Sequence, residues 1–338
     1  MRTQKITSQV LFLILVPVLV FGQALFQNLG GQRAGTAVFP FLKIETSAYG
    51  AGMAGAGVAL PRDAASVFYN PTSISHLPKR NVVLFHLDMP ADIDYEYFAF
   101  STPFGRVSHI GFSYGALHMD PMTETTEYMP MGTGRTFIFR DEFIALSYSI
   151  KLSDRFTFGT TAKYAHETID NLTMGGTLFD FGTLYQTGFR SLRIASSLTN
   201  FGAQYGPTGN YSKTILNQDG EPVVADSLEY QSFSPPTTFR LGMGYEIIES
   251  DQNRLTASFQ LTHPADNAET YALGFEYLLG NVLSMRCGYV LNMDGFGLAL
   301  GGGLRIGLPG GIKMKFDYAY TQTDYLTAPQ RYSIGFSL

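Results

Sequence analysis

The sequence predicts an all-β protein: a transmembrane antiparallel β-barrel of about fourteen strands, with a small N-terminal plug or hatch segment containing short helix. Three observations carry that expectation. The chain starts with an export signal, its composition is poor in charge and rich in aromatics, and its second half alternates with period two to the last residue.

The export signal comes first. Arg2 and Lys5 are followed by an uncharged apolar run over residues 10–21, then by small residues at Val20 and Gly22. Basic, apolar and small-residue parts in that order make a secretory signal peptide over residues 1–22, with Gln23 as the first mature residue. The alternative, a membrane anchor, needs about 20 apolar residues and the run is shorter. It ends without a cysteine, which argues against a lipoprotein. No later stretch is long and apolar enough to suggest a spanning helix.

Composition supports the second point. Charged residues are 15% of the chain and aromatics 14%, against about a quarter charged in an ordinary soluble domain. Such a balance suits a sheet with one face in lipid; a soluble β-sandwich, the alternative, carries more surface charge. The net charge of −5 offers no basic surface for nucleic acid. The single cysteine, Cys287, has no partner for an internal disulfide.

Alternation supplies the strands. In the last one, Tyr332, Ile334, Phe336 and Leu338 share a face opposite Arg331, Ser333, Gly335 and Ser337. The same pattern runs back through 312–321, 296–306, 283–291, 271–279, 255–261 and 239–247. Seven more segments, at 81–87, 93–102, 106–116, 142–152, 155–165, 177–187 and 190–199, bring the number to fourteen. Most match the roughly 9–11 residues that a tilted strand needs to cross a membrane. Connection lengths agree: even-numbered strands end in short turns, and the long connections, 118–141 and 200–236, fall at the other end, as in a barrel with periplasmic termini. The expected domains are therefore the signal peptide, a plug over 23–78 and a barrel over 79–338.

The plug segment is different in kind. Gly50, Gly52, Gly55 and Gly57 alternate with alanines, Pro61 and Asp63 can open a short helix, and Asn70-Pro71 marks a break. Gly50-x-Gly52-x-x-Gly55 is formally a dinucleotide fingerprint, but no α/β unit surrounds it. Tight packing of Gly52, Gly55 and Gly57 against a barrel wall, with Asn70 and Pro71 closing the motif, is the expected role. The lumen-facing charges Arg254, Arg305, Lys313, Lys315, Asp317 and Arg331, with Arg240, Glu246 and Glu276, need buried partners; Lys313, Lys315, Arg331 and Asp317 are expected to clamp the plug. The six histidines are scattered without metal-ligand spacing, and no nucleophile motif appears, so neither catalysis nor a metal or other cofactor is expected.

Residues 34–37 (Ala-Gly-Thr-Ala), Phe41-Leu42, the Gly/Ala run 48–59 and 63–71 (Asp-Ala-Ala-Ser-Val-Phe-Tyr-Asn-Pro) resemble the N-terminal signature of the PorV/PorQ family. The match covers about fifty residues. It departs from the family pattern at Arg62, where an acidic residue is usual, at Tyr69, often Trp, and at Thr72-Ser73. The resemblance implies a FadL-like fourteen-strand barrel in the outer membrane of Bacteroidota, serving the type IX secretion system. Partners would be outer-membrane lipid, translocon or attachment-complex proteins, and the C-terminal signal domains of secreted cargo. FadL itself transports long-chain fatty acids and other hydrophobic compounds, which is the alternative function. For the secretion reading, the partner-binding loops would use Met119, Met122, Tyr128, Met129, Met131 and Phe137 in the first, and Tyr205, Tyr211, Tyr230 and Phe233 in the second, since Met and Tyr suit adaptable interfaces.

Overall fold

The computed structural model describes residues 35–209, 213–216, 222–225, 230–293, 295–324 and 327–338. The expected signal peptide, the first part of the plug segment through Ala34, and Tyr211 lie outside them.

Fourteen antiparallel strands close into one barrel. They are β1 (Asn81–Met89), β2 (Ile93–Phe104), β3 (Ser108–Met119), β4 (Phe139–Lys151), β5 (Phe156–Ile169), β6 (Leu172–Gln186) and β7 (Arg193–Gly202), then β8 (Thr238–Glu249), β9 (Asn253–Pro264), β10 (Thr270–Leu279), β11 (Leu283–Leu291), β12 (Phe296–Gly307), β13 (Lys313–Thr323) and β14 (Gln330–Ser337). Closure joins β1 to β14 in register from Asn81↔Ser337 to Asp88↔Gln330, so no strand edge is left unpaired. Both ends of the barrel chain, and the short turns after the even-numbered strands, lie at one end. That is the periplasmic end in barrels of this kind.

The expected alternation holds on the outer face. Leu84, Ile144, Leu146, Leu241, Met243, Met285, Leu300 and Ile334 are exposed, while their neighbours along each strand point inward. In water such a surface would be a liability; in lipid it is the hydrophobic belt. No helix among the described residues is long and apolar enough to cross a membrane. Several run longer than the sequence suggests: β5 reaches Ile169 and β6 starts at Leu172, because their hairpin continues beyond the apolar stretch that marked them. Two-residue hairpins (Met122–Thr123 with Thr136–Phe137) and four-residue ones (Lys213–Leu216 with Pro222–Ala225) ride on the two long loops.

The inner wall departs from expectation. It is not uniformly polar: Val83, Phe85, Leu87, Tyr95, Tyr97, Leu117, Phe143 and Leu178 point inward and form an apolar cluster with Phe39, Phe41 and Leu42. Alternation cannot tell an apolar residue facing lipid from one facing a plug, since both faces of β1 and β2 are apolar enough for either. The lumen is therefore a packed core, and residues 35–78 fill it.

The plug is a chain of single turns, each opened by a residue that suits its start. Ser47 accepts the Gly50 N–H at 3.3 Å and caps the helix Ala48–Ala51. Asp63 opens the 3₁₀ turn Ala64–Phe68 in a capping box with Ser66. Asn70, extended before its proline, ends that turn and caps Pro71–His76. Small residues let these turns touch the wall. A Cβ on Gly52 would lie 3.0 Å from Gly301 Cα, and one on Gly274 would lie 2.7 Å from the Met53 carbonyl oxygen. Gly55 is needed for a second reason, its φ of +81°. Replacing Gly52 with Leu is expected to unseat the plug, since the obstacle is backbone and cannot rotate away. The measurement is conductance in a planar bilayer, which should rise above that of the parent barrel.

Candidate functional site

The plug is tied to the wall by one buried charge network. Glu276, fully buried on β10, accepts from Arg286 Nε at 3.2 Å and faces Arg62 Nη2 of the plug at 3.2 Å. Tyr49 donates its hydroxyl to Glu276 at 3.4 Å and accepts from Arg62 Nε at 3.1 Å. Three cations lie over or beside the Tyr49 ring: Arg286 at 4.5 Å from its centroid, Lys315 at 4.7 Å and Arg62 at 5.8 Å. Arg286 also pairs with Asp317 at 2.8 Å; Lys315 bridges Asp317 at 2.9 Å and plug residue Asp63 at 3.1 Å. Arg305 lies 3.7 Å from Glu276 as a fourth cation, so Arg62, Arg286, Lys315 and Arg305 face three acids, Glu276, Asp317 and Asp63.

Neutral contacts complete the attachment. Gln260 Oε1 accepts from both Gly57 N and Val58 N, at 3.1 and 2.9 Å. Asn70 Nδ2 donates to the Thr183 carbonyl of β6 at 3.1 Å and to Val58 O at 3.3 Å, while its Oδ1 accepts from Thr72 N at 3.0 Å and Thr72 Oγ1 at 2.7 Å. Ser197 on β7 donates to the Tyr69 carbonyl at 2.7 Å. Asn70 thereby joins plug to wall as well as capping a turn, and Pro71 packs under Gly159 of β5.

The expected clamp is divided. Lys315 reaches the plug and Asp317 supports it, but Lys313 makes no ion pair, and Arg331 lies at the opposite end of the lumen, donating to Thr321 at 2.9 Å near Glu45. Strand register separates them: Arg331 pairs with Ala319, well above Lys313. Arg286 and Tyr49 escaped the sequence reading. Arg286 sits on the inward parity of β11 between Met285 and Cys287, so strand parity could have found it; Tyr49 carried no signal.

On either side of the plug lies a cavity. The extracellular one, about 460 Å³, has apolar walls from Ile44, Ala51, Ala54, Leu87, Met89 and Val290, with Arg240, Arg331 and Glu45 at its polar edge. Burial pushes the Glu45 carboxyl above the usual carboxylate range, despite nearby Arg331 and a 3.0 Å bond from the Tyr69 hydroxyl. Arg240, buried, donates to Thr199 at 2.8 Å and stacks 5.3 Å from Phe68. The periplasmic one, about 690 Å³, is bordered by Arg62, Asp63, His76, Arg254, Arg305 and Lys313.

The loop residues fall into two groups. Tyr128 and Met131 are 93% and 96% exposed at the tip of the first loop, with Met129 beside them. Met119 ends β3, and Met122 faces Phe137 in the small hairpin. In the second loop Tyr205 is committed to the fold: its hydroxyl donates to Thr177 O at 2.7 Å, its ring packs on Phe39 at 5.7 Å, and its backbone bridges Phe233. Tyr230 is partly buried. Among the described residues no group of three His, Cys, Asp or Glu is placed to hold a metal ion.

Solved structures share the fold. The CymD monoaromatic hydrocarbon channel superposes with a TM-score of 0.55 at 13% identity, over 85% of this chain and 95% of that one. The toluene transporter TbuX of Ralstonia pickettii gives 0.56 at 12% identity, over 88% and 98%. The toluene transporter TodX of Pseudomonas putida gives 0.55 at 10% identity, over 92% and 98%. No family model and no curated sequence matches the chain. At these identities the likeness establishes a shared architecture: a closed antiparallel barrel of fourteen strands.

Two outcomes follow from the network and its surroundings. Arg286→Met should destabilise the folded barrel by about 3–5 kcal/mol, because Glu276 and Asp317 lose a buried partner; denaturant titration in detergent, read by gel mobility of folded and unfolded forms, measures it. Burial, with Lys151 and Arg193 near by, pushes the His76 imidazole down to about 4. A depressed histidine contributes stability that is present above its unfolded value of about 6.5 and is lost as pH falls from there to about 4. The melting temperature should drop over that window, and His76→Gln should flatten the drop.

Proposed function

We propose that this protein is an outer-membrane channel that admits hydrophobic or amphipathic small molecules from the cell surface, with the plug as its gate. The observation that carries this reading is the apolar chamber of about 460 Å³ on the extracellular side of the plug. It is the size and character of a small-molecule site, mostly apolar with a few polar groups that orient the ligand. The architecture shared with hydrocarbon channels and toluene transporters supports it. Passage requires the plug to shift, and its attachment by short turns and side-chain bonds, without a shared β-ladder, leaves it that freedom.

The test is uptake of labelled toluene and of labelled oleate by vesicles containing the purified barrel. Uptake above that of empty vesicles is expected, and Val290→Trp, which fills the chamber without touching the plug network, should reduce it at least about tenfold. Equal uptake with and without the barrel would end the channel reading.

A second reading, a type IX secretion component that binds secreted cargo or partner proteins through its extracellular loops, is favoured by one observation. Tyr128, Met129 and Met131 present an apolar tip in water, and large exposed apolar groups at a loop tip suit protein contact. Replacing all three with Ser should abolish capture of cargo C-terminal signal domains while leaving toluene and oleate uptake unchanged. Capture at parental strength would remove this loop from the account.

A further inference from the structure

Cations outnumber acids around the plug network, and the surplus lies beneath it. Arg62, Arg286 and Lys315 are matched by Glu276, Asp317 and Asp63. Arg254 at the start of β9, Arg305 near the end of β12 and Lys313 at the start of β13 border the periplasmic cavity as well. Among the described residues, Arg254 and Lys313 make no ion pair or hydrogen bond, and Arg305 reaches Glu276 only at 3.7 Å. The Nε atoms of Arg254 and Arg305 are buried without a hydrogen-bond partner. Arg254 also faces the like charges of Arg62 and Arg305, with Glu276 as the one acid acting on it. Like charges brought together around one opening repel, and a buried guanidinium donor left unpaired is costly. Side chains on three separate strand ends do not converge this way to hold the plug, which is already held.

We propose that Arg254, Arg305 and Lys313 form an oxyanion-binding site at the periplasmic mouth of the lumen. Two guanidinium forks and one ammonium match the geometry and charge of a phosphate-type dianion better than those of a single carboxylate. The cavity of about 690 Å³ has room for a phosphate and for part of an attached chain, so the anion is either a free phosphate or the head group of an amphiphile. The site stands on the barrel's own charges and does not depend on whether a ligand crosses the plug.

Isothermal titration calorimetry on the full-length barrel in a non-ionic detergent at low ionic strength tests it, with inorganic phosphate and dodecyl phosphate as probes. Saturable 1:1 binding of at least one probe is expected, weakening as salt is added. The double variant R254Q/K313Q should lose at least about tenfold in affinity, the scale of one lost charge-assisted bond. Lys313→Gln alone, at an exposed position, should lose severalfold and guards against a double variant that fails to fold; gel mobility checks folding in each case. Dodecyl phosphate binding more than tenfold tighter than phosphate identifies an amphiphile's head group, and equal binding identifies the free anion; either supports the site. Absence of saturable binding for both probes, or unchanged affinity in the folded variants, overturns it. Val290→Trp, which blocks the chamber on the other side of the plug, should leave this binding intact, so failure of uptake and failure of this site are told apart.

Discussion

Everything inside the barrel depends on the contact between Tyr49 and Glu276. A carboxylate at full burial is unfavourable unless it is both paired and hydrogen-bonded. Glu276 has Arg286 of the wall as one partner and gains Arg62 and the Tyr49 hydroxyl from the plug, while the plug's Arg62 and Asp63 find their opposite charges in Glu276 and Lys315 of the wall. Wall and plug are therefore not independently satisfied. An empty lumen would leave Lys315 without Asp63, and Arg286 and Lys315 without the Tyr49 ring they lie against. The plug is held by electrostatic completion on one side and by apolar packing on the other.

These two halves have different consequences for motion. On the side of β1 to β4 the plug buries Phe39, Phe41 and Leu42 against Phe85, Tyr95 and Phe143, a contact that resists sliding because close-packed side chains must separate before they can move. On the side of β9 to β13 the contact is a network of charges and small residues, with glycine backbones almost touching at Gly52 and Gly301. Hydrogen bonds and ion pairs there can be exchanged for water or ligand groups with little net change.

Arg62 illustrates how a departure from a family pattern gains meaning from structure. The PorV/PorQ-like signature has an acidic residue at this position, and here a cation stands instead. It lies 3.2 Å from Glu276 and donates to Thr256 at 3.0 Å, so the reversed sign is matched to an acid on the wall. The local motif alone gave no reason for it, because the partner lies more than two hundred residues away in sequence.

The sequence by itself determined the barrel: period-two alternation, strand lengths near those of a membrane crossing and turn-length parity are local consequences of a pleated strand with one face in lipid, and they are written into each segment. Asn70-Pro71 and the turn opened at Asp63 were legible for the same reason, since a turn is decided by its own few residues; Ser47 as a cap was found only in the structure. The division of the lumen was not. Whether Phe85 faces lipid or plug, why Lys315 clamps while Lys313 does not, and where Tyr49 belongs all depend on which strands face the plug at which height. Strand stagger and closure set that height, and they exist only once β1 has paired with β14. The barrel is a property of each strand; the seat of the plug and the charge left over beneath it are properties of the ring.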